Sequence, residues 1–122
     1  MSVLRATRTA IASLAVGALV AAATTGTAAA AVYYSFTLCN YAGDFHSYAH
    51  FPSRGKSSPT AWTNQCVVTT HAGGERVEIV IRPDTPQNKV LAPRPYPTDW
   101  SNDVFHTSGS YYSPVIKPHA HR

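Results

Sequence analysis

The chain has 122 residues, a formal charge of +4 from ten Lys/Arg against six Asp/Glu, and only two cysteines. That length leaves room for one domain with a modest core. Its basic residues are scattered rather than gathered on one segment, which argues against a nucleic-acid-binding protein.

The first 31 residues read as a cleavable secretory signal. Arg5 and Arg8 form a basic start, Ala10 to Ala23 are apolar or small, and the stretch closes on Ala29-Ala30-Ala31. A basic n-region, an apolar h-region of about 7–15 residues and a small-residue cleavage site is the export pattern. A membrane-spanning helix needs roughly 20 mostly apolar residues, and this one is shorter and diluted by Ala, Gly and Thr. Cleavage after Ala31 leaves residues 32–122 as a single secreted domain, with no membrane attachment. Arg5 and Arg8 depart with the signal, so eight basic residues face six acidic ones, a net charge of +2.

Cys39 and Cys66 both fall in the mature part. In an oxidising compartment they are expected to pair as a disulfide. Their spacing lacks the close pairs of a zinc knuckle, so neither metal nor cofactor is expected.

Thereafter the pattern alternates, with Tyr, Val, Thr and Phe in abundance. Tyr34, Phe36 and Leu38 share one face of a first strand. In 45–51, Phe45, Ser47, Ala49 and Phe51 face one way and His46, Tyr48 and His50 the other. Pro52-Ser53-Arg54-Gly55 then ends that strand. A third run covers about 62–71. In the next, Val77, Ile79 and Ile81 oppose Arg76, Glu78 and Arg82. Ala72-Gly73-Gly74 between these two runs predicts a hairpin. Five prolines between Pro83 and Pro97 make 83–110 proline-rich and partly irregular, with Val90-Leu91-Ala92 as a possible edge strand. Residues 111–117 return as a last strand, and 119–122 form a mobile tail. No sustained helical period occurs. The expected fold is all-β: a small antiparallel sandwich or barrel stapled by one disulfide.

Leu38-Cys39-Asn40, Phe51-Pro52-Ser53-Arg54-Gly55, Cys66 and the apolar strand ending in Arg82 resemble a group of small secreted actinobacterial proteins. The resemblance covers about 35–82. This chain has Asn64-Gln65 where the group has Pro-Gly, and its carboxy-terminal half departs. The group has no established activity, so the resemblance implies a secreted β domain and supplies no catalytic residues.

Six histidines invite a site. On a strand, His46 and His50 stand about 13 Å apart, too far for one metal ion, unless His71 or another neighbour completes a set. Their first reading is a solvated sheet face; the functional one is a polar aromatic platform of His46, Tyr48 and His50 for a sugar or peptide. His119 and His121 form a His-x-His pair, a weak chelate on a flexible tail. His46 or His50 with Glu78 and Arg76 or Arg82 supplies the residue types of a ribonuclease, although a solvated charge stripe explains them as well. Arg54-Gly55-Lys56-Ser57 ends like a phosphate loop but lacks the upstream glycine. Trp62, Trp100 and Tyr111-Tyr112 read first as core packing and second as stacking faces. The expected function is a monomeric, non-catalytic secreted protein binding an unidentified extracellular ligand or protein. The alternatives are a small hydrolase such as a ribonuclease, or a protease inhibitor presenting a rigid loop at Pro93 to Pro97.

Overall fold

The computed structural model describes residues 32–120; the expected signal segment and the last two residues, His121 included, lie outside the described residues. Eight strands follow in order: β1 (Tyr33–Asn40), β2 (Phe45–Phe51), β3 (Lys56–Ser57), β4 (Gln65–Ala72), β5 (Arg76–Pro83), β6 (Arg94–Pro97), β7 (Asp103–Ser110) and β8 (Ser113–Lys117). They form two four-stranded sheets, β4-β1-β7-β8 and β3-β2-β5-β6. The fold is the expected all-β sandwich. One pairing, β1 with β7, is parallel; the other strand pairs are antiparallel. No helix of the described residues is long and apolar enough to cross a membrane.

The period-two alternation sets the faces. Phe36, Leu38 and Phe105 from the first sheet meet Phe45, Ala49, Phe51, Val77, Ile79 and Ile81 from the second in one continuous core. Phe36 packs edge-on to Phe51 and beside Phe105, at 5.4 and 5.0 Å between ring centres. The opposite residues of β2, His46, Tyr48 and His50, are half-buried on the outer face.

Three devices hold the sheets. Cys39 and Cys66 stand opposite one another on β1 and β4 and form the disulfide. Wholly buried Asn40 is a hydrogen-bond hub. Its amide donates to the carbonyls of Phe45 and Ala61, and its oxygen accepts from the Ala42 N–H and the Thr107 hydroxyl. Because the Thr107 proton goes to Asn40, the Ser47 hydroxyl donates the 2.9 Å bond that joins β2 to Thr107 on β7. A buried amide with every lone pair and proton satisfied fixes one arrangement of its neighbours. The third device is Arg54, whose Nε and Nη2 reach the two oxygens of Glu75 at 2.8 and 3.0 Å. Nη2 also donates to the Thr70 carbonyl, and the guanidinium lies over Phe51 and Tyr33. The Leu-Cys-Asn and Phe-Pro-Ser-Arg-Gly motifs are thus structural. Gly55, with φ +60°, closes the Arg54 turn in a conformation that disfavours a side chain.

Four expectations are corrected. The β4–β5 link is no hairpin: the strands belong to different sheets. Ala72 explains why. Its N–H donates to the Glu75 carboxylate and its carbonyl accepts from the Glu75 N–H and the Thr98 hydroxyl. The Glu75 N–H bond closes the turn as in a hairpin, but the reciprocal bond is replaced: the carboxylate takes the Ala72 N–H, and Thr98 takes the Glu75 carbonyl that should have accepted it. Residues 90–92 are not a strand; Arg94–Pro97 is, paired to β5. Pro95 and Pro97 stand opposite Glu78 and Arg76, and the rungs to β5 fall to Arg94 and Tyr96, so the prolines sit where a donor would point away from the sheet. The Pro93 to Pro97 loop expected of an inhibitor is accordingly largely strand. The third is narrowed rather than overturned: 84–93 and 98–102 are irregular as expected, while 103–110 is regular. It forms β7, flanked by β1 and β8, but its buried positions carry Asp103 and Thr107 beside Phe105, which breaks the apolar alternation. Fourth, the start of the tail is anchored: the Ala120 N–H donates to Val104 O, and His119 Nδ1 lies 3.0 Å from the Asp103 carboxylate.

Candidate functional site

The outer face of β2 and β5 carries the residues singled out from sequence. His46 stands opposite Arg82, Tyr48 opposite Val80, and His50 opposite Glu78. His46 Nδ1 lies 2.8 Å from Asp84 Oδ1, and its ring stacks on Trp62 at 4.2 Å with the planes tilted by 34°. One face and one nitrogen of this imidazole are therefore fixed, and the ring is only 19% exposed. His50 Nδ1 makes its own contact, 2.9 Å to the Ser57 hydroxyl on β3. Glu78 accepts from Arg76 at 2.9 Å. The types proposed for a ribonuclease do share this face, but each is engaged with a different neighbour.

His71 does not join them. It points into the interior from β4, wholly buried, with Nδ1 and Nε2 at 2.8 and 2.9 Å from the carbonyls of Ala72 and Ser101. Its ring crosslinks β4 to the segment before β7, where it packs against Tyr34 and Phe36. The three-histidine convergence is overturned by this placement on opposite sheets.

A different cluster has ligand chemistry. Asp99, Asp103 and His119 offer two carboxylate oxygens and one imidazole nitrogen, all within 4.8 Å of one another. Such N/O sets suit zinc and similar cations. In this structure the three residues bind each other: His119 Nδ1 is 3.0 Å from Asp103 and 3.4 Å from Asp99, and Asp103 also accepts from the N–H groups of Asp99 and Val104. His119 adopts φ 53°, uncommon for a residue with a side chain. The available sequence signal was the Asp99-x-x-x-Asp103 spacing, hidden by reading the tail as mobile.

The aromatic residues divide. Tyr111 is core, its hydroxyl donating to the Lys89 carbonyl. Trp62, Trp100 and Tyr112 are exposed at 50%, 77% and 57%, so core packing is wrong for both tryptophans. Each indole nevertheless has a support: Trp62 leans on His46, and Trp100 lies against Gly73 and Gly74. Near Trp100, Gly74, Arg76, Pro95, Tyr96 and Pro97 line an open groove of about 260 Å³.

Around Glu75, burial pushes the carboxyl up, but hydrogen bonds from Arg54, the Ala72 N–H and Ser53, with the charge of Arg54, outweigh it and hold the group below its usual range. The same hydrogen bond raises Arg54. Both belong to the structural clamp. Comparison with protein-family models, with curated proteins and with solved structures finds no match to this chain.

Proposed function

We propose that this chain is a secreted, non-catalytic binding domain, with the His46, Tyr48, His50 and Trp62 side of the β3-β2-β5-β6 sheet as its contact surface. The observation that carries the reading is the supported exposure of Trp62. An indole half open to solvent is stacked on an imidazole that a carboxylate holds in place. Flat apolar surface with a preset orientation is useful to a ligand, since little side-chain freedom is lost on contact. Secretion is supported by the pattern of residues 1–31 and by the Cys39–Cys66 disulfide, which suits an oxidising compartment.

The reading is tested on an array of glycans and peptides probed with the secreted protein. Binding that is lost in Trp62→Ala, with thermal unfolding unchanged, is the expected result; a silent array, or signals indifferent to Trp62, would overturn it. Intact mass of the secreted form should begin at or next to Val32. The runner-up, a small hydrolase, draws on the His46–Asp84 contact, since a carboxylate on one imidazole nitrogen orients the other as a general base. Release of acid-soluble nucleotides from RNA, abolished by His46→Ala, would favour it over binding.

A further inference from the structure

We infer that Trp100 and the groove beside it form a carbohydrate subsite for an uncharged pyranose chain. This rests on the binding function proposed above and places a second contact at the far end of the same sheet. The indole is 77% exposed, yet its seat is closely defined. A Cβ on Gly73 would lie 2.3 to 2.9 Å from Cε3, Cδ2 and Cζ3 of the ring, and one on Gly74 would lie 3.1 to 3.2 Å from Nε1, Cε2 and Cζ2. Six ring atoms thus rest across two adjacent residues that lack side chains. One face of the indole lies on bare backbone, and the other is left to solvent.

Gly74 also lines the groove, which makes platform and groove continuous. The groove supplies what a sugar needs beside a flat apolar face. Arg76, in its lining, brings planar N–H donors, and Glu78, outside the lining, accepts from Arg76 at 2.9 Å and holds that guanidinium in place. Because guanidinium and carboxylate neutralise each other, the site offers no net charge to a polyanion or polycation, and a neutral ligand fits best. Pro95 and Pro97 remove the outward donors of β6, so an extended peptide cannot add as a further strand there. The ligand must then be held by side chains and ring faces, as a saccharide is.

The chain has two tryptophans, so in Trp62→Phe the emission comes from Trp100 alone. That variant is titrated with cellohexaose and chitohexaose, and with polygalacturonate as the charged control. The expected result is a saturable change in Trp100 emission with a neutral hexasaccharide, and none with polygalacturonate. Gly73→Ala keeps the indole but pushes it from its seat; Gly73 has no left-handed φ to oppose an alanine. Followed by calorimetric titration with the same hexasaccharides, both Gly73→Ala and Trp100→Ala should weaken binding about tenfold or more, with far-UV circular dichroism unchanged. A preference for polygalacturonate, or no emission change with either neutral sugar, would overturn the subsite. If the array then shows a ligand that depends on Trp62 alone, the binding function survives without it; if it shows none, both fail.

Discussion

The turn at 72–75 is used from two sides, in opposite ways. On one side Glu75 is almost wholly buried and accepts from Arg54, Ser53 and Ala72. On the other, Gly73 and Gly74 carry an indole left mostly to solvent. The first arrangement consumes its polar groups in holding the sheets together. The second spends no polar group and keeps an apolar face open. Polar groups that are buried and satisfied specify a fold, whereas exposed rings with a fixed seat specify a contact. Substitutions should therefore separate into those that cost stability and those that cost binding.

The largest expected loss of stability is at Asn40. Asn40→Ala takes the amide from four buried groups; the Ala61 carbonyl keeps the Ser47 N–H and the Thr107 hydroxyl keeps the Ser47 hydroxyl, so the Phe45 carbonyl and the Ala42 N–H are the two left stranded. At about 1–3 kcal/mol for each buried group stranded, the loss is about 2–6 kcal/mol, which reaches the lower end of the roughly 5–15 kcal/mol that holds such a domain together. Urea denaturation should read that loss; one below about 1 kcal/mol would mean that water or a neighbour replaces the amide. Next comes the disulfide. Cys39 and Cys66 are 27 residues apart, and the double Cys→Ser variant should lose about 3–4 kcal/mol on the chain-entropy account.

Glu75 comes third, and pH reveals it. Its carboxyl titrates lower in the folded chain than the ordinary 4.5, because the bonds from Arg54, Ala72 and Ser53 outweigh burial. A depressed folded value means that the contribution is complete above about pH 4.5 and is lost as pH falls through the folded value. Thermal midpoints should be flat down to that point and then decline. In Glu75→Gln that part of the decline should vanish, and Arg54→Ala, which leaves the carboxylate unpaired, should cost about 3 kcal/mol at neutral pH. An unaltered acid decline in Glu75→Gln would place the acid-sensitive group elsewhere.

The same contrast governs what could be read in advance. Phe36, Leu38, Val77, Ile79 and Ile81 obey the two-residue period, and β1, β2 and β5 were legible from it. β7 escaped because Asp103 and Thr107 occupy inward positions, where a local pattern expects apolar residues. Their partners, His119 and Asn40, are distant in sequence. The link after β4 escaped for a related reason: Ala72-Gly73-Gly74 has hairpin chemistry, but a carboxylate three residues on takes the Ala72 N–H that a hairpin needs. On the outer face, His46, Tyr48 and His50 were placed correctly by alternation. Asp84, which holds His46, lies 38 residues away and follows no spacing rule. Nor could composition show that both tryptophans are exposed, since only the tertiary fold decides what covers a ring.

Asp84 gives the smallest effect and the most direct comparison with Glu75. Both are carboxylates bonded to a basic side chain at 2.8 Å, but Glu75 is 4% exposed and Asp84 is 29% exposed. Water screens the second pair and solvates whatever it loses, so Asp84→Ala should change stability by no more than about 0.5 kcal/mol. Its consequence should be local. Without the carboxylate on Nδ1, the His46 ring is free to turn, and the Trp62 stack loses its fixed base. The Trp62 emission of Asp84→Ala, read in a Trp100→Phe background, should shift towards that of a solvated indole while the urea midpoint stays put. A stability loss comparable with that of Arg54→Ala would put Asp84 with the structural clamps, and the outer face would then be part of what holds the fold rather than what it presents.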